Sequence, residues 1–282
     1  MRRAGFLVGL LAAVASAAGA ACSALVPDLP VLADAGFQDE GSEAPGADAP
    51  TEVDGGDASV GTSDASEGSA PDADAASRVP TFVQGNSFLS SPAVHTSLSA
   101  TFTSPMTAGD LIVAIVFTWP QTTSQAPVDT MANKYHLAKH QTDVGTNNGD
   151  VTIWYAWNCA AATANTNTVT VSVPSNTYQD FIIEEWANVQ SSTDPLDVTG
   201  GASALTGAPS CSASPTAAGV AIAGSTSDYG QKDAGTGWTL RVHATEDCLA
   251  IDQVVSSPGT ITPNTMPADD DWAIAVAVFK GL

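Results

Sequence analysis

The sequence predicts an all-β protein: a two-sheet antiparallel β-sandwich of jelly-roll type, preceded by a signal peptide and a disordered tether. Residues 166–173 alternate Val with Thr, Ser or Asn, as a half-buried strand does. Residues 110–119 form an unbroken β-branched run between Gly109 and Pro120, and no window shows a capped helical stripe. Short strands separated by turn residues at intervals of about 8–12 are typical of sandwiches. The predicted parts are 1–21 (signal peptide), 22–78 (tether) and 79–282 (sandwich).

The N-terminus has the layout of an export signal. A basic Met1-Arg2-Arg3 precedes an uncharged apolar stretch at 6–21, which is too short and Gly-diluted for a membrane span of about 20 residues. Gly19-Ala20-Ala21-Cys22 resembles a lipobox, in which Cys22 is diacylated and becomes the first mature residue. Alternatively, Ala18-Gly19-Ala20 is an A-x-A site for ordinary signal peptidase, and Cys22 stays unmodified.

The tether is acidic throughout. Residues 23–77 carry 13 of the 30 acids and no Lys or Arg. Such a segment cannot bury enough apolar area to offset its ordering entropy, so we expect disorder. An acidic spacer directly after Cys22 favours the lipid anchor and predicts a bacterial outer-membrane or cell-surface lipoprotein, with a secreted protein as the alternative. The net charge of -22 excludes nucleic acid as a partner.

The sandwich should contain strands of different burial. The run at 110–119 is predicted to be central and buried on both faces. In 272–279 large residues alternate with Ala, so the large ones should fill the core while the Ala face lets another layer approach. Turns are expected at 174–176 and at Gly200-Gly201. Further strands are predicted at 81–90, 97–103, 133–139, 150–158, 179–188, 219–226, 237–245 and 248–256.

Phrases in a fixed order extend over nearly the whole domain. They include T-A-G-D-L-I-V (107–113), V-D-T-M-A-N-K-Y (128–135), I-W-Y-A-W-N (153–158), N-T-V-T-V (167–171), D-P-L-D (194–197), I-D-Q-V-V (251–255) and W-A-I-A-V-A-V-F-K (272–280). In this order they resemble a recurrent extracellular β-sandwich module of bacterial secreted and surface proteins. The resemblance implies a jelly-roll-type sandwich and no catalytic residues. The chain departs from it at Met131-Ala132, where Ser or Gly is preferred, and at Trp186-Ala187, where Tyr-Ser is usual.

Catalytic and metal-binding motifs are absent from the sequence. It contains no G-x-S-x-G, P-loop, G-x-G-x-x-G or H-E-x-x-H. His136 and His140 are about 13 Å apart on a strand, too far to share a zinc ion. Glu184 and Glu185 should point to opposite faces of a strand, and the acidic loops near 247 and 270 are interpreted as solvated. We therefore expect no enzyme activity, no cofactor and no metal.

Aromatic residues are the candidates for ligand binding, because sugars stack on exposed aromatic faces. Trp119, Trp157, Tyr178 and Tyr229 are placed near strand ends or turns, and Trp119 is the first choice because Pro120 should end its strand. An acidic surface repels anionic ligands, which favours neutral polysaccharide. The other tryptophans of the family phrases are expected to be packing residues: Trp154, Trp186, Trp238 and Trp272.

Export would place Cys159, Cys211 and Cys248 in an oxidising compartment, where thiols tend to pair. A Cys211–Cys248 disulfide is favoured over Cys159–Cys211. If Cys22 is not acylated, two pairs are possible.

Together these observations predict an exported, lipid-anchored surface protein with a non-catalytic domain for binding or adhesion. Its partners would be the membrane, through Cys22, and neutral polysaccharide or another surface protein. The alternatives are a secreted hydrolase with a shallow acidic rim site and a purely structural envelope component.

Overall fold

The structure is a computed structural model that describes most of the chain after residue 77. The described ranges are 78–89, 94–119, 122–145, 149–227, 230–231, 233–245, 247–266 and 271–282. The predicted signal peptide, Cys22, nearly all of the predicted tether and Tyr229 lie outside them. The described residues form fourteen strands and no helix, which confirms the all-β class, and so no helix among them could span a membrane.

The strands follow the chain with short connections. They are β1 (Thr81–Leu89), β2 (His95–Thr101), β3 (Leu111–Trp119), β4 (Val128–Asp129), β5 (His136–Thr142), β6 (Asp150–Ala156), β7 (Thr168–Ala187), β8 (Leu196–Ala204), β9 (Gly219–Ser227), β10 (Asp233–Ala234), β11 (Thr239–Thr245), β12 (Cys248–Val255), β13 (Thr265–Met266) and β14 (Trp272–Lys280).

Two antiparallel sheets form the sandwich. Sheet I has the order β1-β7-β3-β6-β5, and sheet II has the order β11-β12-β9-β14-β8. Strand β7 is long enough to serve two layers: its second half pairs with β1 and β3, whereas its first half pairs with β2 and β4. We call β2, β4 and the first half of β7 the cover layer, because they pack over the outer face of sheet I.

The main core lies between the two sheets. Alternate residues of β3, from Leu111 to Phe117, meet the Ala face of β14 and the inward residues of β9 and β12. Gly224 of β9 permits this approach, because a Cβ there would lie only 2.6 Å from Cγ2 of Ile115. As predicted, another layer approaches the Ala face of β14. That layer is sheet I, the other sheet of the sandwich.

A second core lies between sheet I and the cover layer. The intervening residues of β3, Ile112, Ala114 and Val116, pack there against Val169 and Val171 of β7. Every residue from Leu111 to Phe117 is fully buried, which confirms that this strand is central and covered on both faces. Each large apolar side chain of this run contributes about 1.5–3 kcal/mol through burial.

A third core covers the outer face of sheet II. The large residues of β14, Ile274, Val276 and Val278, pack there with Trp238 and with Cys211 from the loop that follows β8. The large side chains of β14 thus fill this outer core and not the space between the sheets. Both faces of the strand are buried, so residue size alone did not show which face meets the other sheet.

Two predicted turns are strands in the structure. Residues 174–176 belong to β7, which continues to Ala187, and Gly200-Gly201 lies inside β8. A Cβ on Gly200 would collide with the backbone carbonyl of Ser212, and one on Gly201 with the Gln141 side chain. The glycine pair therefore permits close packing on both sides of the strand rather than a chain reversal.

The predicted disulfide is not present. Cys159, Cys211 and Cys248 are free and buried. Cys248 points into the core between the sheets, Cys211 lies in the outer core of sheet II, and Cys159 lies under the cover layer. Sheet II separates Cys211 from Cys248, and sheet I separates Cys159 from both. Burial raises the pKa of Cys159 and of Cys211 to about 12, which leaves both thiols protonated and unreactive.

Candidate functional site

An open cavity of about 270 Å³ lies at the end of β6, where Trp157 follows the strand. We call it the Trp157 pocket; six residues from two turns and the start of β5 line it: Ala132, Asn133, Lys134, His136, Trp157 and Asn158. One turn connects β4 to β5, and the other follows β6. The antiparallel pairing of β5 with β6 brings the two turns together, with His136 opposite Tyr155.

Asp129 organises the first of these turns. One of its carboxylate oxygens accepts hydrogen bonds from the backbone N–H groups of Met131, at 3.1 Å, and Asn133, at 2.9 Å. The other accepts from the Asn133 amide at 2.7 Å, the Tyr135 hydroxyl at 3.2 Å and the Asn167 amide at 3.4 Å. The V-D-T-M-A-N-K-Y phrase is thus a turn that is folded around a single carboxylate.

Asn133 joins the two walls of the pocket, because its side-chain oxygen accepts a hydrogen bond from the backbone N–H of Ala160 at 2.9 Å. Two lining residues, Ala132 at φ 57° and Asn158 at φ 51°, have left-handed backbone conformations. This conformation is costly for Ala and tolerated by Asn. Strained backbone of this kind is concentrated at binding sites, where the surrounding structure holds it in place.

Three aromatic rings are in contact at one wall of the pocket, which His136 and Trp157 line and Tyr155 supports from behind. Trp157 stacks on Tyr155 with 5.6 Å between ring centroids and 23° between ring planes, and His136 lies 4.6 Å from Trp157. The Tyr155 hydroxyl donates to both carboxylate oxygens of Asp194 at 3.0 Å, which fixes the inner ring. Trp157 itself is half-buried. A ring held in this way is a rigid surface for an apolar ligand face.

Two polar side chains of the lining are free to contact a ligand. Within the described residues, neither the Lys134 ammonium nor the Asn158 amide has a hydrogen-bond or ion-pair partner. No carboxylate lines the pocket. The site therefore combines an aromatic surface with unpaired hydrogen-bond donors.

Of the other predicted ligand residues, the two that the structure describes, Trp119 and Tyr178, do not line this pocket. Trp119 pairs in register with Tyr178 at the opposite end of sheet I, roughly 25 Å away along β3. Trp119 is half-buried and packs against the core between the sheets, whereas Tyr178 is 49% exposed. Tyr229 lies outside the described residues. Of the three predicted ligand residues within the described ranges, Trp157 is the one that lines the polar cavity.

The tryptophans expected to pack do so. Trp186, Trp238 and Trp272 are buried, and half-buried Trp154 donates its indole N–H to the Ser124 hydroxyl at 2.9 Å.

The two acids whose pKa is raised to about 7, Asp110 and Glu184, are buried, Glu184 within β7 and Asp110 directly before β3. Glu184 and Glu185 point to opposite faces, as expected. Glu184 accepts from the Trp186 indole at 3.0 Å, and Glu185 accepts from the Gln84 amide at 2.6 Å. Burial, with the hydrogen bond and the charge of Glu185, raises the pKa of Asp110 to about 7. Sequence reasoning missed this pair, although Asp110 and Glu185 interrupt apolar runs.

The histidines do not form a metal site. His136 is one of the three rings at the wall of the Trp157 pocket, while the His140 imidazole contacts Asp150 at 2.9 Å between Nε2 and Oδ2. Across the described ranges no three His, Cys, Asp or Glu side chains are placed to share a metal ion.

Comparison of the chain with protein-family models, with curated proteins and with solved structures gave no match.

Proposed function

We propose that the chain is an exported surface lipoprotein that presents a non-catalytic sandwich domain for binding carbohydrate. The N-terminal signal, Cys22 and the acidic segment after it support export and anchoring. The ordered family phrases support a jelly-roll-type extracellular module. The net charge of -22 repels anionic glycans as they approach and so favours neutral ones. Once a glycan is bound, the side chains of the site determine which groups it contacts.

The Trp157 pocket is the observation that carries the binding proposal. A sugar ring presents an apolar C–H face and a rim of hydroxyl groups. The pocket offers the Trp157 indole, which Tyr155 supports by stacking, beside the unpaired side chains of Lys134 and Asn158. Sites for small molecules combine an aromatic surface with a few placed polar groups in this way. The pocket lies at a sheet edge reached through two turns, where a long polysaccharide has access.

The hydrolase alternative depends on a pair of accessible carboxylates. The described acids whose pKa is raised to about 7, Asp110 and Glu184, are buried in or beside strands and do not line the pocket. An envelope component with a purely structural role would not need a polar cavity whose lining includes side chains without partners. The pocket therefore favours a binding module.

A glycan array tests the binding proposal. We expect the full chain to bind at least one glycan class and Trp157→Ala to lose this binding. Because Trp157 also packs on Tyr155 and on the core between the sheets, the variant should melt at a lower temperature, and a cooperative transition would show that it is still folded. Tyr178→Ala is the matched control, because it removes an exposed aromatic residue at the far end of the same sheet. Loss of binding in the Tyr178 variant alone would move the site to the opposite rim. An array without binding would overturn the proposal.

Labelled palmitate tests the anchor. The chain should incorporate the label, and Cys22→Ala should not. Equal labelling of both forms, or none in either, would show that Cys22 carries no lipid.

A further inference from the structure

The lining of the Trp157 pocket differs in charge from the chain as a whole. Lys134 and His136 line it and no carboxylate does, on a chain with a net charge of -22. Exposed charges more than about 8 Å apart are largely screened at physiological salt. Contacts within the pocket therefore bear on ligand choice more directly than the net charge.

Lys134 is available for a ligand. Arg241 donates to Asp252 at 2.6 Å, and the Lys280 ammonium lies 4.0 Å from Asp197, so both of these cations have a carboxylate partner. Lys134 is exposed and has no such partner among the described residues.

The nearest carboxylate on the turn does not compete for Lys134. Asp129 lies five positions before it, and its two oxygens already accept five hydrogen bonds from backbone and side-chain donors of the turn. A carboxylate that is satisfied in this way is held in place and directed toward the protein. Lys134 is therefore an exposed lining residue of the pocket whose charge Asp129 does not occupy.

We infer that the sugar bound in the Trp157 pocket is a uronic acid residue of an acidic polysaccharide. Its ring packs on Trp157, its carboxylate accepts from the Lys134 ammonium, and the Asn158 amide bonds a hydroxyl group. A volume of about 270 Å³ is at the low end for ligand pockets and suits a single ring of a longer chain. This inference rests on the proposed carbohydrate-binding function and replaces the neutral class by an acidic one.

Pairs of sugars that differ only in the carboxylate distinguish its contribution to affinity from that of the ring. Calorimetry would compare the full chain with tetramers of galacturonate, mannuronate and glucuronate, and with their carboxyl-reduced forms. Reduction converts each carboxylate to a hydroxymethyl group and keeps the stereochemistry of the ring. We expect one acidic tetramer to bind about tenfold more tightly than its reduced form, because an ammonium group binds a charged carboxylate more strongly than a neutral hydroxyl group. Salt should weaken only the acidic form.

Variants assign this difference to one side chain. Lys134→Gln should bind both forms with the affinity that the wild-type protein has for the reduced form. Lys134→Arg should keep the preference for the acidic form. Trp157→Ala should lose both forms. Lys139→Gln is the control, because it removes a lysine of β5 that does not line the pocket.

The outcomes distinguish this inference from the proposed function. Equal affinity for an acidic tetramer and its reduced form, or an unchanged preference in Lys134→Gln, would overturn the uronic acid and leave carbohydrate binding in place. Failure of all six sugars to bind would also overturn it. The glycan array would then decide whether the proposed function stands.

Discussion

Glu184 makes the stability of the domain depend on pH. Its side chain is fully buried in β7; one oxygen accepts from the Trp186 indole, and the other has no hydrogen-bond partner among the described residues. Burial is the largest influence and raises its pKa from 4.5 to about 7; nearby Asp252 raises it further, while Trp186 and Arg241 lower it. Between about pH 4.5 and pH 7, Glu184 therefore keeps its proton in the folded protein and loses it in the unfolded chain.

The sign and size of the effect follow from this difference. Because the folded-state pKa is the higher one, the neutral carboxyl stabilises the fold at low pH, and this contribution is lost as pH rises through 7. A shift from 4.5 to about 7 corresponds to about 3 kcal/mol in full, of which roughly 2.5 kcal/mol is lost between pH 5 and pH 8. Glu184→Gln keeps the acceptor for Trp186 and has no proton to lose.

Urea unfolding at pH 5 and pH 8 measures the effect. Relative to wild type, Glu184→Gln should gain about 2–3 kcal/mol between the two pH values. Asp233→Asn, which removes an exposed carboxylate of β10, should stay parallel to wild type. A difference between wild type and Glu184→Gln that is the same at both pH values would refute the buried neutral carboxyl.

Three further changes test other features. In urea unfolding, Ala132→Gly should raise the free energy of unfolding by up to about 1 kcal/mol, because the left-handed backbone strains Ala but not Gly. The greater freedom of Gly in the unfolded chain offsets only part of this gain. A loss of stability would contradict the prediction. The Cys22→Ala protein, purified after export, should show no thiol reactive to Ellman's reagent when folded and three in urea, and a single thiol in urea would reveal a disulfide. Deletion of residues 23–77 should change the melting temperature by only a few degrees, and a large decrease would mean that this segment packs on the sandwich.

Strand burial could be predicted where the sequence carries it directly. The unbroken apolar run of β3 indicated two covered faces, and the Thr/Val alternation at the start of β7 indicated one. In β14 the same logic was not sufficient, because both faces are buried and the small one meets the other sheet. Alternation identifies the faces of a strand but not its neighbours.

Local turn chemistry was misleading where tertiary contacts decide. Gly200-Gly201 has the composition of a turn, yet it serves close packing within β8. The cysteines likewise have spacings that permit several pairs, and only the position of the sheets shows that each lies in a separate core.

The candidate site was half predictable. Trp157 could be named as an aromatic residue at a strand end. Its partners Asn133 and Lys134 lie more than 20 positions earlier, and only the register of β5 on β6 brings them to Trp157. Lys134 also carries no signal of its own in the sequence, since its importance depends on having no partner.

The register of β1 has a mechanical consequence. Thr81 pairs with Ala187, and Trp186 pairs with Leu111, so the chain enters sheet I at the same end as the Trp157 pocket. Under the proposed anchoring and binding, a load between the membrane and a bound ligand would therefore pull on both points from one side. The hydrogen bonds between β1 and β7 would then break one after another, starting at Thr81, instead of bearing the load together. Pulling between residues 78 and 157 should separate β1 at a lower force than pulling between residues 78 and 119, which loads the same bonds together in shear.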